Sequence, residues 1–186
     1  LITGPPVATM QYFYDGNLVT STVKNGTSSA IEAIDKKYFF YDEDHNLIGI
    51  NWHYQIANLY YRVIHLSTSV IYFEKISAPY NDASAQILDR NIIEFDQDNN
   101  VIKAGRDYGL DGIMNNTYYF SYLNDNLVSV QKPNGTILTF EYSNVIDNFS
   151  VLRENSYGKK MFAIFNAEWY ATFSEINYLQ SRNLSA

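Results

Sequence analysis

Phe39-Phe40-Tyr41-Asp42-Glu43-Asp44-His45-Asn46-Leu47-Ile48 reads as the end of one strand, a polar turn, and the start of a second strand. Aromatic residues suit a pleated, half-buried surface. Asp and Asn hydrogen-bond their own backbone and tolerate the left-handed conformation of tight turns. Three other stretches repeat the pattern: Tyr12-Phe13-Tyr14-Asp15-Gly16-Asn17-Leu18-Val19, Ile93-Glu94-Phe95-Asp96-Gln97-Asp98-Asn99-Asn100-Val101-Ile102, and Tyr118-Tyr119-Phe120-Ser121-Tyr122-Leu123-Asn124-Asp125-Asn126-Leu127-Val128. The turn residues Asn17, Asn46, Asn100 and Asn126 are separated by 29, 54 and 26 positions. The middle interval is two units of about 27 residues, which places a worn fifth copy near Tyr72-Phe73-Glu74. Each unit is long enough for two ordinary strands and two turns, so the repeat predicts tandem β-hairpins.

Working outward, strands are predicted at 11–14 and 18–24, around the strong hairpin signal Asp15-Gly16-Asn17. Others fall at 38–41 and 47–54, 58–66 and 70–76, 92–95 and 101–104. A three-strand meander follows at 117–123, 127–131 and 136–142, with Pro133-Asn134-Gly135 as its second turn. Residues 30–34 read as a short strand or turn. Residues 78–91 read as the longest loop, with one helical turn at 83–88, and 105–116 as a loop broken by Gly105, Gly109 and Gly112. Leu138, Phe140 and Tyr142 alternate with Ile137, Thr139 and Glu141, the period of a sheet with one dry face. Because sequential hairpins pair with their neighbours, the expected fold is all-β. It is an antiparallel meander of tandem hairpins, forming a curled sheet or a barrel-like (porin-like) one, with a C-terminal helical segment.

Residues 1–9 form an N-terminal arm rich in Pro, and 10–186 a single β-meander domain in which 149–186 is a non-repeating segment packed on the sheet. Phe162, Phe165, Trp169, Phe173, Ile176 and Leu179 in that segment are spaced 3, 4, 4, 3 and 3, the stripe of an amphipathic helix over 161–180. Two more aromatic strands are the competing reading.

Composition narrows the function classes. Hydrophobic residues make up 46% and charged residues 18%, too apolar a balance for disorder. The net charge is −7 and the basic residues are scattered, so the basic footprint of a nucleic-acid binder is missing. There is no cysteine, which removes disulfides, thiolate nucleophiles and Cys-based metal sites. No run of about 18 apolar residues occurs, so no transmembrane helix is expected. The chain begins Leu1-Ile2-Thr3-Gly4 without Met, which suggests a leader or lipid anchor upstream of Leu1.

Few motifs carry chemistry. Asp42, Asp44 and Asn46, and likewise Asp96, Asp98 and Asn100, match the D-x-D-x-N start of a calcium loop, which supplies oxygen ligands at alternate positions. An EF-hand also needs Gly at its sixth position and Glu at its twelfth. Here those positions hold Leu47 and His53, or Val101 and Asp107. The preferred reading is a hairpin loop whose Asp and Asn side chains bond the backbone, with calcium as the weaker one. His45, His53 and His65 have no zinc-like spacing. No nucleophile elbow, phosphate loop or dinucleotide fingerprint is present, so no residue is assigned a catalytic role and no cofactor is expected. Trp52 and Trp169 are the ligand-binding candidates, as rings that stack on sugars or fill the core.

The units Tyr14-Asp15-Gly16-Asn17-Leu18 and Tyr41-Asp42-Glu43-Asp44-His45-Asn46-Leu47 resemble the YD-type repeats of bacterial surface proteins. The layout over residues 10–150 more closely resembles the DUF4595-type family of exported Bacteroidetes proteins, with Ile176-Asn177-Tyr178-Leu179-Gln180-Ser181-Arg182-Asn183 a weaker match. That resemblance implies a porin-like β-meander in the periplasm or at the cell surface, held to the membrane only through a lipid anchor upstream. It supplies no site residues. The function expected is an exported cell-envelope module for binding or structure, without catalysis, whose partner is a carbohydrate or an envelope protein. A carbohydrate-active enzyme or a small outer-membrane barrel are the alternatives.

Overall fold

A computed structural model describes residues 9–25, 35–54, 56–124, 126–141 and Lys160. Eleven strands follow one another: β1 (Thr9–Asp15), β2 (Leu18–Asn25), β3 (Asp35–Tyr41), β4 (Leu47–Tyr54), β5 (Ala57–His65), β6 (Val70–Ile76), β7 (Ile87–Phe95), β8 (Val101–Arg106), β9 (Asn115–Leu123), β10 (Asn126–Gln131) and β11 (Ile137–Thr139). Their order in the sheet is the order in the chain, β1 through β11. The all-β antiparallel meander is therefore the fold. The order is linear with β1 and β11 at its ends, an open sheet in place of the barrel-like alternative. Among the described residues no helix is long and apolar enough to cross a membrane. The helix expected at 161–180 and the strand or turn at 30–34 lie outside the described residues, as does Trp169.

Three turns share one construction. In residues 42–46, 96–100 and 132–136 the first amide donates to the fifth carbonyl, at 3.0, 2.9 and 2.8 Å. The fourth amide donates to the first carbonyl, at 3.1, 3.2 and 2.9 Å. The fourth residue is left-handed in each: His45 at φ 65°, Asn99 at 61° and Gly135 at 83°. This is the three-residue hairpin loop, a tight turn closed by one left-handed residue.

The repeat has a second structural meaning. Tyr41 pairs with Leu47 and Phe40 with Gly49, so Ile48 is left over as a β-bulge. The same displacement leaves Ile102 between Val101 and Lys103, Val128 between Leu127 and Ser129, and Thr20 between Val19 and Ser21. Thr20 Oγ1 donates back across its bulge to the Phe13 carbonyl at 3.2 Å. A bulge shifts the face by one residue. The buried positions consequently recur at intervals of three, Leu47 and Ile50, Val101 and Ala104, Leu127 and Val130, Val19 and Thr22. Simple alternation does not describe these strands.

Several expected boundaries change. β7 begins at Ile87, so the long loop is residues 77–86 and the helical turn at 83–88 is absent. Asp82 bends the chain instead, its Oδ1 accepting the Ser84 amide at 2.8 Å. The loop at 105–116 contracts to 107–114, because β8 reaches Arg106 and β9 starts at Asn115. Gly105 is a strand residue: a Cβ there would lie 2.8 Å from the Asn115 carbonyl oxygen, so glycine permits the close approach of β9. β3 starts at Asp35, and the last strand is only Ile137–Thr139. The fifth copy is not centred on Tyr72, which lies within β6. It is the β5–β6 turn, where Ser67 Oγ takes the place of the turn carboxylate and accepts the Ser69 and Val70 amides at 3.2 and 3.1 Å.

The contacts gather in two compact units. The first comprises Leu1–Val63 with Lys75–Leu88, and the second Ile64–Glu74 with Asp89–Ala186. Val19, Phe39, Leu47, Ile50, Tyr61, Val63 and Ile76 are buried in the first unit. Ile71, Phe73, Ile92, Ile93, Phe95, Val101, Ala104, Phe120, Leu127 and Val130 are buried in the second. Each fully buried side chain of this size contributes about 1.5–3 kcal/mol relative to exposure, so these rows are the main stabilising term of each unit.

Candidate functional site

The two D-x-D-x-N segments are placed as turns. Asp42 Oδ1 accepts the amides of Asp44 and Asn46 at 3.0 and 2.8 Å, and its Oδ2 accepts from Asn46 Nδ2 at 3.1 Å. Asp96 repeats this, with the Asp98 and Asn100 amides at 2.9 and 2.8 Å and Asn100 Nδ2 at 3.0 Å. Donors thus occupy the carboxylate oxygens that a cation would need. Asp44 and Asp98 are exposed and contribute only their amides to these bonds. Among the described residues no three His, Asp or Glu side chains converge as metal ligands. His45 closes a turn, and His53 and His65 lie on β4 and β5.

Trp52 lies near the end of β4, opposite Lys37 of β3 and Leu59 of β5. Alternate residues share a face, so Asp35, Lys37, Trp52, Tyr54 and Leu59 stand together in the first unit. The Trp52 indole Nε1 donates to Asp35 Oδ1 at 2.6 Å. The Lys37 ammonium lies 4.2 Å from the centre of the indole ring, within cation–π range. Tyr54 stands next along the strand with ring centres 5.4 Å apart, and is 42% exposed. The same face continues inward to Phe39, Ile50 and Tyr61, which are buried. The arrangement is an aromatic pair at the rim of a dry face, with one carboxylate and one ammonium beside it.

The other face of these strands carries Lys36, Tyr38 and Phe40 on β3, Gly49, Asn51 and His53 on β4, and Asn58, Tyr60 and Arg62 on β5. Tyr80, from the loop at 77–86, packs over one end of it. A Cβ on Gly49 would meet the Tyr80 Cγ, and the Phe40 and Tyr80 ring centres are 4.7 Å apart.

A buried ionic group in the second unit was not legible beforehand. Arg90 of β7 donates through Nε to Glu74 Oε1 at 2.9 Å, and its Nη2 is 2.7 Å from the same oxygen. Its Nη1 donates to Asp107 Oδ2 and to the Leu110 carbonyl, at 3.0 and 3.1 Å. The guanidinium carbon lies 4.5 Å over the Tyr72 ring. The Glu74 and Asp107 side chains are both 0% exposed, and Arg90 is 11% exposed. Asp107 also accepts the Asp111 and Gly112 amides at 3.0 and 2.9 Å, which folds residues 107–112 around it. Burial alone would raise the Asp107 carboxyl. The Gly112 amide, the Arg90 guanidinium and the Asp111 amide together outweigh it and hold the group below its ordinary value. For Arg90, burial works against the charge, and the hydrogen bonds and opposite charges of Glu74 and Asp107 overcome it.

Glu74 and Asp107 are two buried carboxylates brought to one guanidinium, and Arg90 engages both, so neither stands open as an acid or base. The available signal was Glu74 itself, an acidic residue directly after the apolar run Val70-Ile71-Tyr72-Phe73 and within the same strand, with Arg90 on the following strand. A scan against protein-family models finds no match for this chain, and a search of curated proteins finds none either.

Proposed function

We propose that this chain is an exported, non-catalytic binding module of the bacterial cell envelope, and that it binds carbohydrate at the Trp52 end of its first unit. The observation that carries the reading is the pair Trp52 and Tyr54, side by side on one face with Asp35 and Lys37 adjoining. Sugar rings present apolar C–H faces and polar rims. An aromatic surface bordered by a fixed acceptor and a fixed donor matches both, in the way small-ligand sites combine apolar area with a few placed polar groups. The Asp35 bond to Nε1 holds the indole in place before a ligand arrives, which reduces the ordering cost of binding. Export and envelope location follow the resemblance of the layout over residues 10–150 to the DUF4595-type family of exported Bacteroidetes proteins. Absence of catalysis is favoured by the engagement of Glu74 and Asp107 with Arg90. The linear strand order argues against a membrane barrel, which must close.

Affinity electrophoresis through gels containing neutral polysaccharides tests the proposal. Retarded migration is expected for the wild type and lost in Trp52→Ala. Trp169→Phe leaves Trp52 as the only tryptophan, and its fluorescence should change on saturation with the retarding sugar. No retardation by any polysaccharide, or equal retardation of Trp52→Ala, would overturn the reading.

A further inference from the structure

We propose that β1 is a docking edge for a second copy of this chain, the two β1 strands pairing antiparallel about a two-fold axis at Tyr12. The edge belongs to the first unit and does not depend on the reading of Trp52. β1 ends the strand order, with β2 beside it on one side only among the described residues. An edge strand offers a row of main-chain N–H and C=O groups, and proteins usually blunt it with Lys, Pro, a bulge or short length. β11, at the other end of the order, is blunted in this way, being three residues long. β1 is not. It runs for seven residues, Thr9-Met10-Gln11-Tyr12-Phe13-Tyr14-Asp15, without Lys, Arg or Pro. The bulge of its hairpin falls on β2, at Thr20, so β1 itself gains no extra residue. Tyr12, Phe13 and Tyr14 are 38%, 48% and 50% exposed, so both faces of the strand carry uncovered aromatic surface.

The strand's own pattern selects the occupant. Full overlap of two antiparallel β1 strands sets Tyr12 opposite its counterpart, Gln11 opposite Phe13, and Asp15 opposite Thr9. Tyr12 and Tyr14 of both copies then share one face, within the diagonal reach of cross-strand aromatic pairs. Asp15 is the only charged residue of β1, and the two copies of it fall at opposite ends of the pair, so no like charges are set opposite each other. Pairing β1 with β11 of the next copy would engage only three residues. It would also leave edges free to add further copies, whereas the two-fold pair closes. At the exposures above, rings of about 150–250 Å2 each leave roughly 400–700 Å2 to be covered over the two copies. That is below the roughly 1,200 Å2 of a tight complex, so the dimer is a weak, concentration-dependent one held largely by main-chain hydrogen bonds. Each copy carries a net charge of −7, and salt that screens this repulsion favours association.

The test is sedimentation velocity of the full chain from micromolar to millimolar concentration. A monomer–dimer equilibrium is expected, strengthened by added salt. Tyr12→Lys and Tyr12→Glu should each weaken dimerisation by about tenfold or more, because each sets two like charges face to face. An equimolar mixture of the two variants should restore the dimer, which also shows that both fold. The chain has no cysteine, so a single Tyr12→Cys thiol reports the geometry. On oxidation it should cross-link to its counterpart faster than an Ile137→Cys thiol on β11, although Ile137 is itself exposed. The proposal is overturned if the chain stays monomeric throughout, which would leave β1 to a strand of another protein, or if species beyond the dimer accumulate, which would pair β1 with β11. It is equally overturned if Tyr12→Lys dimerises as the wild type does, or if Ile137→Cys cross-links as fast as Tyr12→Cys.

Discussion

Replacing Arg90 by Met should be the most damaging single change in the second unit. The side chain would keep most of its length but lose the fork that reaches Glu74 at 2.7 Å, Asp107 at 3.0 Å and the Leu110 carbonyl at 3.1 Å. Both carboxylates are fully buried, so neither can recover its interactions from water. Removing one partner of such a group costs about 3–5 kcal/mol, because the charge left behind is uncompensated. At about 2–4 °C per kcal/mol for a chain of this size, the melting temperature should fall by roughly 6–20 °C. Thermal unfolding followed by circular dichroism measures this. Hydrogen exchange at the Asp111 and Gly112 amides, both bonded to Asp107, reports the loop directly. Arg90→Lys should recover only part of the loss, since a single ammonium cannot bridge both carboxylates. Acid adds a signed check. A depressed folded-state pKa means that Asp107 contributes stability above the ordinary carboxyl value of 3.8 and loses it as pH falls through its lower folded value. Asp107→Asn should flatten that acid limb. An Arg90→Met variant within about 1 kcal/mol of wild type would refute the assignment, because a group that water can rescue should show so small a loss.

Four further perturbations probe the hairpins. Gly49→Ala should cost about 1–3 kcal/mol in urea unfolding, because the new Cβ would collide with the Cβ, Cγ and Cδ1 atoms of Tyr80, and Tyr80→Ala should relieve most of it. Asn99→Val should cost about 1–2 kcal/mol and Asn99→Gly little, since Asn99 sits at φ 61°. Millimolar calcium should leave the melting temperature unchanged, because Asp96 already accepts from the Asp98 and Asn100 amides. Tyr41 donates to the Val19 carbonyl at 2.7 Å, and burial pushes its hydroxyl up to about 12. A raised value means its contribution is full below the ordinary 10.0 and is lost as pH rises through about 12, so Tyr41→Phe should remove one late phase from an ultraviolet titration.

The hairpins were legible because their determinants are local. Asp42 bonds amides two and four positions ahead, and Asp96 does the same, so five residues suffice to close the turn. The turn between the strands expected at 58–66 and 70–76 lacks the Asp and Asn spelling of the other copies because Ser67 performs the carboxylate's role with a shorter side chain. The loop boundaries at 78–91 and 105–116 were misplaced because glycine and polar residues read as breakers in isolation. Gly105 is instead a contact surface for the neighbouring strand.

The amino-acid sequence by itself determined the turns, the antiparallel meander and the pairing of each strand with its successor, since these depend on hydrogen bonds within a few residues and on short connections. The tertiary structure decided which residues are buried and which meet. The bulges at Thr20, Ile48, Ile102 and Val128 displace the dry face by one position, an effect visible only once two strands lie side by side. Arg90 finds Glu74 and Asp107 at separations of 16 and 17 residues, and Tyr80 finds Gly49 across a loop and two strands. Those contacts depend on register, and register is a property of paired strands that no single strand carries.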